Sequence, residues 1–324
     1  LDVPLNTYDY PSIWREEAEE NLRQFYPDYQ FAFLNGGAEA VEAAIKIARY
    51  LVPRKQKVAA FRGCFHGKTF LTGLLTDGKE SEYTTILPYA APIVPPVDTA
   101  AIVVEPFQCR NGVLLPDEPC KFFDQISTLE RAYGIFVIDD EISTGLRSGA
   151  PLAIQGFAPG FLPAIVCLGK NIGQGFPVSA VGVRNDLLPR LEGLSLTSGY
   201  GGNALACVAI AESLSEFNRA DRLSTIRDTG VDFLHDLLVA SYDDKCIHKL
   251  PGVKDVRGIG MWFGIEFFQA DAAKTVAEKL ITREYIVGSV PPRIRLAPPF
   301  DLSRDCWKEF CGVLRETIQE VCGS

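Results

Sequence analysis

The feature that most limits what this chain can fold into is an alternation. Short β-branched runs, VAAF (58–61), AAIVVEP (100–106), IFVIDD (135–140), AIVCLG (164–169) and SAVGV (179–183), are separated by segments with apolar residues at helical spacing, among them 38–50, 121–133 and 203–217. Runs that are apolar on both faces suit strands covered by helices on both sides. The pattern predicts an α/β fold with a mostly parallel central sheet flanked by helices. Beyond about residue 218 the order changes to a long helix, an alternating stretch over 256–267, a helix near 271–282, the short strand RIRLA and a last helix near 304–321. This change predicts a smaller C-terminal α+β domain. The expected division is an N-terminal segment over 1–30, a large domain over 31–218 and a small one over 219–324.

Charge and hydropathy exclude several functional classes. The 324 residues carry a formal net charge of −9, so nucleic acid is not an expected partner. No apolar run approaches the ~18–20 residues of a bilayer span, and no charged and then apolar leader opens the chain. No membrane partner is expected, and the chain reads as soluble and cytoplasmic. Nine cysteines fall mostly inside apolar segments without a CxxC pair, as expected of free thiols in a reducing compartment. The chain opens at Leu1 and its only methionine is Met261. It is expected to be either compact by nature or a fragment.

Two residues stand where a ligand is expected. Lys170 follows AIVCLG and precedes a glycine-rich turn, and Asp140 ends the run IFVID. The carboxyl ends of strands in an open α/β sheet are where ligands bind. At a buried strand mouth the Lys170 amine is expected to be desolvated, uncharged and able to form a Schiff base. A P-loop would need glycine five residues before the lysine and Ser or Thr after it, where Ile165 and Asn171 stand. GIGMWFG (258–264) imitates a dinucleotide fingerprint, but its third glycine is one residue late and the segment alternates like a strand. The histidines, His66, His235 and His248, lack the spacing of metal ligands or of a triad, so no metal is expected.

A lysine amine and a carboxylate for a ring nitrogen are what pyridoxal phosphate requires. A structural ion pair at the sheet edge would use the same two residues. A third feature adds weight to the cofactor reading: Asn35-Gly36-Gly37-Ala38 opens a helix whose apolar face runs Val41, Ala44, Ile45, Ala48. Free N–H groups at a helix start, with glycines allowing close approach, form an anion cradle. An ordinary Asn35 N-cap with Glu39 and Glu42 in the first turns is the alternative.

Taken in order, these segments resemble the class III (ornithine/acetylornithine-type) pyridoxal-phosphate-dependent aminotransferases of fold type I, from about residue 31 to 300. FLNGGAEAVEAAIKIAR resembles the phosphate-loop helix, with Gly36, Gly37 and Ala38 at the phosphate. CFHGKT (64–69) resembles the segment whose aromatic, here Phe65, stacks on the cofactor ring beside His66, and VVEPFQ (103–108) the turn in which Glu105 supports the site. FVIDDEISTG (136–145) resembles the segment with the ring-nitrogen aspartate, Asp140, and LGKNIGQGFPVSAV (168–181) the one with the Schiff-base lysine, Lys170. TSGYGGNALAC (197–207) resembles the loop that reaches the partner subunit's phosphate, which implies a homodimer. RIRLAPPF (293–300) resembles the segment in which Arg295 pairs with a substrate carboxylate, a role that bidentate geometry reserves for arginine.

The departures are specific. Ser143 stands where a longer glutamine is common near the ring hydroxyl, and Gly199 where a threonine is expected, leaving Ser198 or Thr197 to supply a hydroxyl. Arg110 replaces a glutamate that in ornithine-type members masks the substrate arginine, and is expected instead to add positive charge for an acidic substrate. The resemblance implies ping-pong transfer of an amino group from a primary amine to a 2-oxo acid through a Lys170 internal aldimine, with Asp140 keeping the ring nitrogen protonated. An aminomutase, racemase or decarboxylase on the same fold, or a catalytically silent binding protein, is the alternative.

Overall fold

The computed structural model describes residues 12–196, 198–219, 221–239 and 246–323. The chain separates into two compact units, one of residues 1–106, 115–146 and 151–222, the other of residues 107–114, 147–150 and 223–324.

The first unit runs α1 (Ile13–Phe25), β1 (Tyr29–Leu34), α2 (Gly37–Leu51), β2 (Lys57–Phe61), α3 (Phe70–Thr76), β3 (Thr84–Leu87), β4 (Thr99–Val104), α4 (Pro119–Tyr133), β5 (Phe136–Asp140), β6 (Ile165–Leu168), β7 (Ser179–Arg184) and α5 (Ala204–Asn218). Its seven strands form one sheet in the order β1-β7-β6-β5-β4-β2-β3. Only β7 runs against its neighbours, β1 and β6; the remaining pairings are parallel. The sheet is thus mostly parallel, and its central strands are buried along their whole length, as the continuous apolar runs require.

The expected face of α2 does pack inward: Val41, Ala44, Ile45 and Ala48 are at most 2% exposed and join the core with Val103, Ile138 and Ile165. Burying each larger aliphatic contributes about 1.5–3 kcal/mol, an upper figure because the unfolded chain is itself partly collapsed. Within the first 30 residues, α1 packs on α5 and buries Ala18 and Leu22, so it is part of this unit.

The second unit holds α6 (Arg222–Leu238), β8 (Val253–Ile259), β9 (Trp262–Phe267), α7 (Ala270–Thr282), β10 (Gly288–Val290), β11 (Arg293–Leu296) and α8 (Arg304–Cys322). The alternating stretch at 256–267 is a hairpin, and its strands join an antiparallel sheet ordered β10-β11-β9-β8. Trp307 of α8 stacks on Phe233 of α6, with centroids 4.6 Å apart. Two short pieces that the order of elements assigns to the large domain belong here instead. Gly112 lies so close to Gly264 that a Cβ on the latter would come within 2.0 Å of the Gly112 oxygen. Arg147 donates through Nη1 to the carbonyls of Met261 and Pro298 at 3.0 and 2.9 Å.

Candidate active site

Five segments leave the same end of the first sheet: the turns after β1, β2, β4, β5 and β6. The end of β5 is fixed by pairing with β4 and β6, with Asp139 opposite Val104 and Asp140 opposite Cys167. Consecutive strand residues point to opposite faces. Asp140, 3% exposed, lines a pocket of about 280 Å³ together with Gly37, Ala38, Phe65, His66, Ser143 and Lys170. Seven of the residues singled out in the sequence therefore meet in one place. Gly67, Lys68 and Ile142 complete the lining, and sequence reasoning assigned a role to none of them.

Lys170 leaves β6 through Gly169 with a backbone φ of +42°, the left-handed region that non-glycine residues seldom occupy. Strain of this kind persists where the surrounding structure enforces it. Its Nζ donates to Ser143 Oγ. The side chain is exposed, which corrects the expectation of a desolvated amine. The strand stops at Leu168, and the left-handed turn carries the lysine off its buried line.

Asp140 Oδ2 lies 2.8 Å from His66 Nδ1, and its Oδ1 accepts from Ile142 N at 3.3 Å. Behind the pocket, Glu105 is 2% exposed and accepts the Phe65 N–H at 2.7 Å, so it acts through the aromatic residue by holding its backbone. Gly67 is needed for two reasons: its φ is +126°, and a Cβ there would come within 2.5 Å of Ala38 Cβ. The loop after β2 is thereby pressed onto the first turn of α2. Glu42 Oε1 secures it from the other side, accepting from Thr69 Oγ1 at 2.6 Å and from the N–H groups of Leu71 and Thr72.

At the cradle the N-cap is Gly36, not Asn35. The Asn35 side chain instead donates to Ser198 Oγ at 3.1 Å and to Glu39 Oε2 at 3.3 Å. Partial burial works to raise the Glu39 carboxyl, but hydrogen bonds from Ser198, Asn35 and Gly36 outweigh it and hold the group below the usual range. Ser179, the first residue of β7, donates to the Gly36 carbonyl at 2.9 Å. Gly37 and Ala38 present the helix start to the pocket.

Ser198 thus sits beside its own chain's α2, and Gly199 is exposed with open space where a side chain would be. Thr197 lies outside the described residues. Arg110 and Arg295 belong to the second unit, the former exposed on the 107–114 piece, the latter half-buried on β11. Arg295 makes no ion pair among the described residues, whereas its neighbour Arg293 is bound to Glu266 at 2.8 Å. Glu266 also takes Lys254 at 2.8 Å and Arg257. Burial would raise this carboxyl, but the three cations draw it down to about 2.

Beneath the site lies a buried acid that sequence reasoning missed. Asp139 is wholly buried, and neither of its oxygens has a hydrogen-bond donor among the described residues. Burial, reinforced by Glu141 and Asp140, pushes it well above the usual carboxylate range. Glu141, 1% exposed, is also raised by burial, although Thr144 Oγ1 and Ile154 N donate to it. Among the described residues no group of His, Cys, Asp and Glu could hold a metal ion, and no helix is long and apolar enough to cross a membrane.

The family model for class-III aminotransferases matches residues 10–98 and 94–318 of this chain. The LysW-aminoadipate semialdehyde/glutamate semialdehyde transaminase of Sulfolobus acidocaldarius is 32% identical over 328 residues, spanning 95% of this chain and 80% of that protein. The acetylornithine aminotransferase of Bacillus subtilis is 31% identical over 319 residues, 94% of this chain and 79% of that one. Among solved structures, a taurine:2-oxoglutarate aminotransferase from Bifidobacterium kashiwanohense, in complex with PLP and glutamate, superposes with a TM-score of 0.83 at 20% identity, covering 97% of this chain and 81% of that chain.

Proposed function

This chain belongs to the class-III aminotransferases, which depend on pyridoxal 5'-phosphate, and from that premise we propose that it transfers amino groups by a ping-pong cycle centred on Lys170. The observation that supports this most is the convergence of an amine, a carboxylate, an aromatic ring and a helix start on one pocket.

The residues present fit the cofactor. Gly37 and Ala38, with Gly36 before them, would take its phosphate; Phe65 would lie on the ring face; Asp140 would meet the ring nitrogen; Lys170 would bind the aldehyde carbon. Bound there, the cofactor supplies an electron sink for the carbon that loses its proton. Lys170 Nζ takes that proton from the amine donor and returns it one position away, serving in turn as base and acid. Ser143 Oγ steadies Nζ between the two transfers, and His66 Nδ1 fixes the Asp140 carboxylate. Arg295 anchors the carboxylate of the 2-oxo acid, and Arg110 adds positive charge for an acidic substrate.

The relatives named for acetylornithine and for semialdehyde substrates support an amino acid or other primary amine as donor. The resemblance of residues 197–207 to a loop that reaches across subunits supports a homodimer with shared active sites. All nine cysteines are free and six are buried, which supports a reducing, cytoplasmic setting. The test is the absorbance spectrum of the purified protein, followed by addition of candidate amines with and without a 2-oxo acid. The wild type is expected to show the absorbance band of a lysine-bound cofactor, which amines bleach and the 2-oxo acid restores. A band that is absent, or that Lys170→Ala leaves unchanged, defeats the reading. Restoration without net amino exchange would point to a mutase or racemase.

A further inference from the structure

A second hollow of the first unit, of about 620 Å³, lies at the opposite end of β5. Phe136, the first residue of that strand, lines it, and Asp140, the last, lines the Lys170 pocket. Four residues of extended chain put the two about 13 Å apart. α2 makes the same traverse, from Gly37 at the Lys170 pocket to Val52, just past its last residue, at the hollow.

The floor of the hollow is an internally satisfied ion network. Arg184 Nη1 contacts Glu130 Oε1 at 2.6 Å and donates to the Leu162 carbonyl, while its Nε meets Asp186 Oδ1 at 2.7 Å. Glu130 Oε2 also accepts the N–H groups of Val137 and Ala164, each at 2.9 Å. This network holds a shape: one guanidinium, that of Arg184, is shared by two carboxylates.

Two further guanidiniums line the hollow. The hydrogen bond to Arg184 has the larger effect in holding the Asp186 carboxyl below the usual range, and the Arg190 guanidinium also helps. Arg131 of α4 lies over the Phe161 ring, 6.0 Å from its centroid, and Arg190 lies over the Phe136 ring at 5.5 Å. Arg190 Nη2 is pinned to the Leu51 carbonyl at 3.1 Å. Neither makes an ion pair among the described residues. Three arginines against two carboxylates leave an excess positive charge at this spot, on a chain whose net charge is −9. Each guanidinium rests over an aromatic ring and keeps N–H groups with which to meet oxygen pairs, Arg190 with one fewer because of Leu51.

We propose that this hollow is a binding site for a small multivalent anion, a polycarboxylate or polyphosphate, held between Arg131 and Arg190 and separate from the Lys170 pocket. Two arginines carried by different elements favour a ligand with two anionic groups, since a single carboxylate satisfies only one fork. The volume lies in the range of small-molecule sites.

The test is titration calorimetry on the cofactor-loaded enzyme with citrate and, separately, pyrophosphate. At least one is expected to bind saturably at one site per chain, at least tenfold more weakly in Arg131→Ala/Arg190→Ala, and with unchanged affinity in Arg295→Ala. Preference for citrate identifies the polycarboxylate class, and preference for pyrophosphate the polyphosphate class. The double variant is accepted only if it keeps its circular dichroism; otherwise Arg131→Gln/Arg190→Gln, which preserves side-chain volume, replaces it. Absence of saturable binding by either anion, equal binding by the double variant, or loss of binding in Arg295→Ala overturns the proposal.

Discussion

His66 Nδ1 stands 2.8 Å from Asp140 Oδ2, with the two side chains 0% and 3% exposed. The pair bridges strands that are not neighbours, since β4 lies between β2, from which His66 follows, and β5, which Asp140 ends. His66 Nε2 is itself buried and has no partner among the described residues. Its hydrogen-bonding capacity is therefore directed at the aspartate.

His66→Phe removes a hydrogen bond to a charged group, a contact of about 1.5–3 kcal/mol in such settings. If that contact is kept through the proton transfers, kcat falls roughly 10–100-fold. His66→Asn, which can still donate, is expected to recover part of the loss. Steady-state kinetics on both variants checks this, with KM for the amine little changed in either.

A Cβ at Gly199 would meet nothing within 4 Å. Gly199→Thr is therefore expected to fold normally and, in the proposed homodimer, to supply the missing hydroxyl to the partner's phosphate. One added hydrogen bond of about 1 kcal/mol gives roughly fivefold tighter cofactor binding. Equilibrium dialysis measures this, and unaltered affinity would take the loop away from the phosphate.

Arg110 sits on a piece held to the second unit's sheet by the Gly112–Gly264 approach and by Arg257, whose Nε donates to the Gly112 carbonyl at 3.0 Å. Removing the charge should affect acidic substrates selectively. Arg110→Ala is expected to raise KM for a dicarboxylic 2-oxo acid about tenfold, with a smaller effect on a monocarboxylic one, the loss of roughly 1.4 kcal/mol of attraction. The same acceptor profile in variant and wild type would remove Arg110 from substrate binding.

Asp139 supplies a pH prediction with a definite sign. Its folded pKa is raised, so over the interval above the unfolded value the folded chain holds a proton that the unfolded chain has lost. The stability linked to this group is present at acid pH and falls by about 1.4 kcal/mol per pH unit as pH rises toward the folded pKa. Asp139→Asn removes the titration. Its melting temperature is expected to exceed wild type at pH 9 and to approach it at pH 5, measured by calorimetry across that range.

Much of this fold was available in the order of residues because it rests on continuous apolar runs and helical periodicity, and those decide burial. The strands at 58–61, 100–106, 135–140, 164–169 and 179–183 lie within a residue or two of β2, β4, β5, β6 and β7. Less visible were β1 and β3. The first is rich in aromatics and half-exposed at the sheet edge, and the second has only four residues. The placement of Phe65, Asp140 and Lys170 around one pocket follows from where strands end. What could not be read was how polar groups are shared once the chain has closed. Glu105 is occupied by the Phe65 backbone, Asn35 by Ser198 rather than by the helix start, and the Lys170 amine by Ser143. Such choices depend on residues 27 to 163 positions apart.

The tandem Asp139-Asp140 carries a consequence for fidelity. In a strand buried on both faces, a slip of one residue is ordinarily punished because it exchanges a charged side chain for an apolar one. Here it would exchange one aspartate for another, so charge offers no proofreading at the position where it matters most. Alignment must be policed from upstream, by Val137 and Ile138 seated against Ile102 and Val103 of β4. The candidate site is then only as accurate as the hydrocarbon packing two residues before it.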